Sequence, residues 1–171
     1  KPLIPYHDHN ERDAAERILH LLKQGKRVAL ISDAGTPAIA DPGYRLVRLA
    51  HQQGVRVESV PGPCAAITAL AGSGLPSDRF LFCGFLPAKQ QARCNTLQTF
   101  AAEYATLIFY EAPHRLADTV RDMAATFGGE REICLARELS KHYETLWLTT
   151  LAQLAQALDE KRIEERGEIV L

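Results

Sequence analysis

The sequence predicts an α/β protein in two parts. The first part, residues 1–76, is α/β and carries part of a parallel sheet, and the second, residues 77–171, is α+β with a mixed or antiparallel sheet. Helix and strand patterns alternate before residues 74–78, where glycine and proline cluster, and strand patterns outnumber helical ones afterwards. With 171 residues, of which 46% are hydrophobic, the chain is long enough to bury a core.

The first part begins with an amphipathic helix and continues as a strand–helix–strand unit. Residues 13–23 place apolar side chains on one helical face. Residues 28–31 form an apolar run that is long enough for a buried parallel strand and too short for a helix. A helix then begins after Asp41, which can cap free N–H groups, and Pro42, which suits a first turn. Residues 55–60 return as a second strand, so a right-handed crossover brings both strand ends to one edge of the sheet.

Each of these two strands ends in a turn rich in glycine and proline. The first bend is residues 32–37, SDAGTP, and the second bend is residues 61–65, PGPCA. Open α/β sheets bind small ligands at the carboxyl ends of neighbouring parallel strands, so the bends predict a ligand site. Neither bend has a dinucleotide or triphosphate loop motif. A carboxylate, two hydroxyls and a backbone made accessible by Gly35 suit a flat, partly polar ligand of the size of adenosine. Spacing alone leaves ordinary tight turns as the alternative.

The second part alternates strand and helix patterns. Strands are predicted at residues 80–85, 106–110, 132–136, 144–150 and 168–171, and helices at residues 90–103, 115–127 and 151–160. Cations stand where these strands end and these helices begin: Lys89, Arg93, His114, Arg115, Arg137 and Lys141. If the turns converge, they form a cationic rim that suits a phosphate-bearing substrate. Any one cation could instead be a solvated surface charge or an ion-pair partner of Glu111 or Glu138, and His114 could be a turn histidine with satisfied hydrogen bonds.

Composition excludes several classes of protein. The net charge of -1 gives no bulk signal for nucleic-acid binding, so any RNA contact must be a local patch. The four cysteines, which show no CxxC pairing, are expected to be reduced thiols: Cys64, Cys83, Cys94 and Cys134. No apolar run reaches membrane-spanning length and no signal peptide is visible, so we expect a soluble cytoplasmic protein with no membrane or metal partner. The chain begins at Lys1 and stops in an apolar strand, so we read it as a fragment of a longer protein.

Seven motifs follow one another in a fixed order between residues 7 and 144: HDHNE, SDAGTPAIADPG, PGPCAAITAL, GLPSDRF, GFLPAK with Arg93, FYEAPHRL and ARELSKHYE. Together they closely resemble the ribosomal small-subunit methyltransferase I family of the tetrapyrrole methylase superfamily. The resemblance implies a tetrapyrrole-methylase-like (class III methyltransferase) fold. It also implies S-adenosylmethionine-dependent 2′-O-methylation of a cytidine ribose in small-subunit (16S) ribosomal RNA, with the cofactor in a cleft between the two domains.

The resemblance also implies roles for individual residues. The expected cofactor contacts are Asp33, Gly35, Thr36, Pro37, Asp41, Cys64, Ala65, Glu111 and Ala112. The expected RNA contacts are Lys89, Arg93, Arg115, Arg137 and Lys141. Because a ribose hydroxyl is barely acidic at neutral pH, the candidate bases are Glu111, His114 and Glu138, and Lys141 could stabilise the developing oxyanion. We favour Glu111 because it ends a strand that is expected to face the cleft.

The chain departs from the family at its start. Family members begin with two further strands that carry a PxGNxxD-like and an EDTR-like segment, and neither segment occurs here. We therefore expect this chain to bind cofactor poorly or not at all, and assign the activity to a longer parent protein. That parent is expected to be a homodimer that acts on small-subunit RNA or on the 30S subunit. The alternatives are a methyltransferase of the same fold that acts on a tetrapyrrole or a modified histidine, and a degenerate binding module without activity.

Overall fold

The computed structural model describes residues 2–171 and divides into two compact units. The first unit is Lys1–Cys64 and the second unit is Ala65–Leu171. The sequence-based boundary at residue 76 stays a prediction.

Two amphipathic helices form the first unit. Helix α1, Glu11–Lys23, and helix α2, Tyr44–Gln52, pack through a small apolar cluster. The buried members of this cluster are Ala15, Ile18 and Leu46. The apolar spacing in residues 13–23 therefore predicted α1 correctly, apart from an earlier start.

The two strands predicted in the first unit do not form. Residues 28–31 and residues 55–60 join no strand ladder among the described residues. Their apolar side chains are exposed rather than buried, with Val28 at 39%, Ile31 at 74% and Val60 at 82%. A parallel strand is stabilised by hydrogen bonds to a neighbouring strand, and neither segment has one here. The strand predictions for these two apolar runs are therefore wrong, because an apolar run needs a partner strand to form a ladder.

Helix α2 begins without the predicted cap from Asp41. Its N-cap residue is Gly43, and no side chain of the preceding turn caps it. Instead the N–H of Gly43 donates to Glu11 Oε1 at 3.2 Å, so a carboxylate of α1 serves the start of α2. A Cβ on Gly43 would lie 2.9 Å from Leu30 Cδ2, and its φ is +151°, so this position requires glycine.

The second unit is built on a five-stranded mixed sheet, as predicted. Its elements in chain order are α3 (Ala65–Ser73), β1 (Phe80–Phe85), α4 (Gln90–Gln98), β2 (Thr106–Glu111), a 3₁₀ turn (Pro113–Arg115), α5 (Leu116–Phe127), β3 (Glu132–Arg137), β4 (Thr145–Thr150), α6 (Leu151–Asp159) and β5 (Ile169–Val170). The strand order is β1-β2-β5-β3-β4. The five strand predictions are confirmed to within one or two residues. The helix predicted over residues 90–103 ends earlier, at Gln98.

The directions of these strands decide where the loops of the second unit lie. Strand β1 runs parallel to β2, whereas β5 is antiparallel to both β2 and β3. It follows that β1, β2 and β3 all point the same way, and their carboxyl ends share one edge of the sheet. One face of the sheet carries the main core, whose fully buried members include Leu97, Leu116, Val120, Leu135 and Leu154. This core gives the shared edge a rigid support.

Candidate functional site

The two bends of the first unit touch each other. The Thr36 hydroxyl donates to the carbonyl oxygen of Pro63 at 2.8 Å. A Cβ placed on Gly35 would lie 3.7 Å from that same carbonyl, and one placed on Gly62 would lie 3.6 Å from Thr36 Oγ1. Gly35 has a φ of +73°, the left-handed conformation that glycine adopts without strain. The residues predicted to bind one ligand therefore come together although 27 positions separate the bonded pair.

Polar groups of the first bend remain available to a ligand. The Ser32 hydroxyl is used locally, since it donates to the carbonyl of Ala34 at 2.8 Å. Asp33 is exposed, and no hydrogen bond or ion pair engages it within residues 2–171. Asp41 is also exposed. Cys64, at the second bend, is half-buried, and Ala65 begins α3 as an exposed residue.

Backbone strain accompanies two of the motifs. Four non-glycine residues in them have left-handed φ angles: Ala38 (68°), Ala40 (54°), Glu138 (50°) and Ser140 (61°). Such a conformation costs an L-residue about 1–2 kcal/mol and concentrates at functional sites. Elsewhere in the described chain, Lys161 is the single other non-glycine residue with a positive φ. This distribution favours a functional role for residues 38–40 and 138–140.

The strand ends of the second unit bring the predicted catalytic and RNA-binding residues to one edge. Lys89 follows β1, residues 111–115 end and follow β2, and residues 137–141 end and follow β3. We call this edge, with the residues that follow its strands, the carboxyl edge. The predicted convergence of these turns therefore agrees with the strand directions.

Glu111 is buried at the carboxyl edge, with 3% of its surface exposed. Its Oε2 accepts the Thr119 hydroxyl at 2.6 Å, and its Oε1 accepts the Ala112 N–H at 2.7 Å. Arg115 Nε lies 3.3 Å from the same Oε1. These partners occupy both carboxylate oxygens, which argues against direct proton abstraction by Glu111. Its predicted roles as base and cofactor contact, like that of Ala112, stay predictions.

Arg93 is also buried, with 4% of its surface exposed. Its Nε donates to Asp122 Oδ2 at 2.6 Å. This ion pair argues against a direct contact between Arg93 and RNA. Sequence reasoning missed Asp122 and Thr119, although both stand on the apolar face of α5 together with Leu116 and Met123. A polar residue on a buried helical face is the signal that could have found them.

Three charged side chains form a network at the end of β3. Lys141 Nζ lies 2.9 Å from Glu138 Oε1 and 2.9 Å from Glu168 Oε2. The N–H of Glu168 also donates to Glu138, at 2.8 Å, and this bond together with Lys141 lowers the pKa of Glu138. The bonds to Glu168 and Glu138 raise the pKa of Lys141. Glu138 is therefore ionised and Lys141 protonated near neutral pH. Arg137, beside them, lies 3.6 Å from Glu164 through Nη1.

Two predicted residues at the carboxyl edge stand apart from these networks. Lys89 and His114 are exposed, and the side chain of neither forms a hydrogen bond or ion pair with any residue from 2 to 171. Of the predicted RNA contacts, Lys89 is therefore the cation that no described carboxylate neutralises. The imidazole of His114 is correspondingly accessible to a bound molecule.

A cavity of about 300 Å³ lies in the second unit, away from the carboxyl edge. It is lined near the amino ends of β2 and β3 by residues such as Thr106, Ile133 and Leu171. Its lining is mainly apolar and includes none of the predicted site residues. The described chain also contains no helix long and apolar enough to cross a membrane. Within residues 2–171, no three His, Cys, Asp or Glu side chains gather where they could hold a metal ion.

Comparison with known proteins identifies related sequences. A family model described as tetrapyrrole (corrin/porphyrin) methylases matches residues 5–155. Proteins named ribosomal RNA small subunit methyltransferase I align with the whole chain, at 52% identity in Pasteurella multocida and 53% in Haemophilus influenzae. A protein of that name from Pseudomonas aeruginosa is 54% identical over 170 residues. The chain covers 61%, 60% and 60% of these three relatives, or about three fifths of their length.

Solved structures show the same fold at lower identity. The methyltransferase CobJ is 19% identical, with a TM-score of 0.64 over 94% of this chain and 70% of its own. The uroporphyrin-III C-methyl transferase from Thermus thermophilus, solved with S-adenosyl homocysteine, is 18% identical. Its TM-score is 0.59, and the match covers 96% of this chain and 73% of that one. At these identities the likeness shows the fold alone.

Proposed function

Since this chain belongs to the tetrapyrrole methylase family, we propose that the protein methylates the 2′-hydroxyl of a cytidine in small-subunit (16S) ribosomal RNA, with S-adenosylmethionine as methyl donor. The observation that carries the proposal is the contact between the two bends, which joins two motifs of the resemblance through the Thr36–Pro63 hydrogen bond. The names of the relatives support the choice of ribosomal RNA as acceptor.

We assign the donor to the two bends. Main-chain groups of Gly35, Thr36 and Pro37 hold an adenosine-sized ligand, and Cys64 and Ala65 extend the contact. The exposed carboxylates of Asp33 and Asp41 supply acceptors for ribose or amino hydrogens. When bound, the donor supplies a methyl group whose carbon is electrophilic because it is bonded to a positively charged sulfonium sulfur. The open backbone at Gly35 supports this assignment, because the place of its missing Cβ contains no atom nearer than the Pro63 carbonyl.

We assign the RNA acceptor to the carboxyl edge. In methyl transfer the ribose oxygen would attack the methyl carbon of the donor, and the carbon–sulfur bond would break with its electron pair left on sulfur. The hydroxyl proton passes to His114, which is exposed and unpaired among the described residues. Lys141 stays protonated because Glu168 and Glu138 raise its pKa, and it would stabilise the developing oxyanion after releasing one of these carboxylates. Orientation of the reacting atoms can by itself contribute about 7–11 kcal/mol to such a step.

The test is a methylation assay on the full-length protein. Methyl-labelled S-adenosylmethionine is incubated with 30S subunits, with free small-subunit RNA and, separately, with a tetrapyrrole precursor. We expect label on the RNA and one cytidine whose 3′ linkage resists alkaline cleavage. Label on a base, or only on the tetrapyrrole, would overturn the proposal. The cytoplasm, where ribosomal subunits are found, is the expected location, and the homodimer stays a prediction.

A further inference from the structure

The loop between β1 and α4, residues 86–89, is held by two arginines; we call it the β1 loop. Arg115 Nη2 donates to the carbonyl of Leu86 at 2.7 Å and to that of Pro87 at 3.1 Å. Arg93 Nη1 donates to the carbonyl of Ala88 at 3.2 Å. Three successive carbonyl groups of the loop are therefore bound, one from α4 and two from the 3₁₀ turn that precedes α5.

A buried carboxylate holds each of these arginines. Asp122 binds Arg93 through Oδ2 at 2.6 Å, and its other oxygen accepts Gln90 Nε2 at 3.2 Å. Glu111 Oε1 lies 3.3 Å from Arg115 Nε, an ion-pair contact without a hydrogen bond, and the Glu111 side chain is 0% exposed. A planar guanidinium that is paired at one end donates at the other in a defined direction. The buried pairs therefore restrict the loop carbonyls to one arrangement.

The positive charges of Arg93 and Arg115 are neutralised by carboxylates of the fold. Each faces a carboxylate within 3.3 Å, so little of either charge acts on a molecule outside. Lys89 differs, because it is exposed and unpaired among the described residues. The backbone of Lys89 is fixed on both sides, by the Ala88 carbonyl bond and by its own carbonyl, which accepts the Arg93 N–H at 2.9 Å.

We propose that Arg93 and Arg115 are positioning residues and do not touch RNA. They hold the β1 loop so that Lys89 meets one RNA phosphate. The inference rests on the proposed function, since it names the residue through which the carboxyl edge contacts its RNA. It also reassigns two of the cations that the sequence predicted as RNA contacts.

The test is a double-mutant cycle on RNA binding by the full-length protein. The affinity for a small-subunit RNA fragment is measured from 50 to 200 mM salt for wild type, Lys89→Ala, Arg93→Lys and the double variant. Lys89→Ala is expected to lower the slope of log affinity against log salt by about 0.7–0.9, the share of one phosphate contact. Arg93→Lys is expected to weaken binding alone and to add nothing in the Lys89→Ala background.

Additive losses, with a slope reduced by two contacts in the double variant, would show that Arg93 touches RNA itself and would overturn the inference. An unchanged affinity for Lys89→Ala would also overturn it. Matched controls are Arg79→Ala, an exposed cation at the amino end of β1, and Arg121→Lys, an exposed paired arginine on α5. Both controls are expected to leave affinity unchanged. Because Arg93→Lys could lower stability, the cycle is repeated with Gln90→Ala in its place, a variant that removes one hydrogen bond to Asp122. Gln90→Ala is likewise expected to add nothing in the Lys89→Ala background.

A readout without RNA separates this inference from the proposed function. Backbone order at residues 86 and 88–90, measured by nitrogen-15 NMR relaxation, is expected to be high in wild type and lower in Arg93→Lys and Arg115→Lys, with no such change in Arg121→Lys. Equal order in all of them would overturn the positioning role. If the loop behaves as expected but the protein neither binds nor methylates ribosomal RNA, the proposed function fails while the arginine-held loop stands.

Discussion

The carboxylate of Glu11 contacts three polar groups of the first unit. Its Oε1 accepts the Tyr6 hydroxyl at 3.2 Å and the Gly43 N–H at 3.2 Å, and its Oε2 lies 2.9 Å from Arg45 Nε. Burial, with a smaller contribution from Glu11, raises the pKa of Tyr6 from 10.0 to about 12. The carboxylate therefore supports the start of α2 and adds to the rise in the pKa of Tyr6 that burial produces.

Replacing Glu11 is expected to change the titration of Tyr6. In Glu11→Ala the pKa of Tyr6 should fall below about 12 but stay above 10, because burial remains. In wild type, the stabilisation from protonated Tyr6 is complete below pH 10 and is lost as the pH rises towards 12. Carbon-13 NMR of labelled tyrosine measures the pKa. Asp13→Ala, at the other acidic position of the first turn of α1, is the control. An unchanged Tyr6 pKa in Glu11→Ala would contradict this account.

A second residue-scale prediction assigns a structural role to Glu111 and a catalytic role to His114. Glu111→Gln should lower the free energy of unfolding by about 3 kcal/mol, because it leaves Arg115 without its buried partner. It should leave the single-turnover methylation rate of the folded enzyme nearly unchanged. His114→Ala should do the reverse, with a rate about 10²–10⁴-fold lower and little change in stability. Urea unfolding and rapid-quench methylation on the full-length protein measure the two quantities. A large rate loss in Glu111→Gln would restore Glu111 as the base.

At the scale of elements, the contact between the two bends is the feature with the clearest consequence. Thr36→Val removes the hydroxyl bond to Pro63 and keeps the shape of the side chain. A bond of this kind contributes about 1 kcal/mol, so the affinity for S-adenosyl homocysteine should fall about fivefold. Calorimetry on the full-length protein measures it. Thr96→Val removes a similar hydroxyl-to-carbonyl bond on α4 and should change nothing. Equal affinities for wild type and Thr36→Val would show that the contact between the bends does not contribute to donor binding.

The elements also show where local pattern was sufficient. The strands of the second unit were predicted from their apolar patterns, and they are confirmed because each segment has a neighbouring strand that the same chain supplies. Residues 28–31 carry an equally clear apolar run, yet they form no strand among the described residues. A ladder is a property of two segments, so a one-segment pattern predicts a tendency and not a strand.

At the scale of the whole molecule, the two units differ in their cores. The main cluster of the second unit has thirteen buried members, from Leu86 to Leu171, whereas the cluster of the first unit has three. Stability against local opening rises with buried apolar contact. Amide hydrogens in α5 and β3 should therefore exchange at least about tenfold more slowly than those in α1 and α2, a difference of about 1.4 kcal/mol. Exchange followed by mass spectrometry measures this, and equal protection would contradict it.

S-adenosyl homocysteine offers a control for that experiment. If the bends bind it, exchange should slow in residues 32–37 and remain unchanged in α5, which lies within the main core. Slowing in α5 without slowing in the bends would place the ligand elsewhere.

The sequence by itself determined the family and the fold class, and both are confirmed by the family model and the solved structures. These were accessible because motifs and strand patterns are local, and each can be read within about ten residues. The tertiary structure decided which cations remain free. Arg93 is neutralised by Asp122, 29 positions away, and Lys141 by Glu168, 27 positions away. Only the folded chain brings such partners within bonding distance, and the charge that a substrate meets depends on those distances.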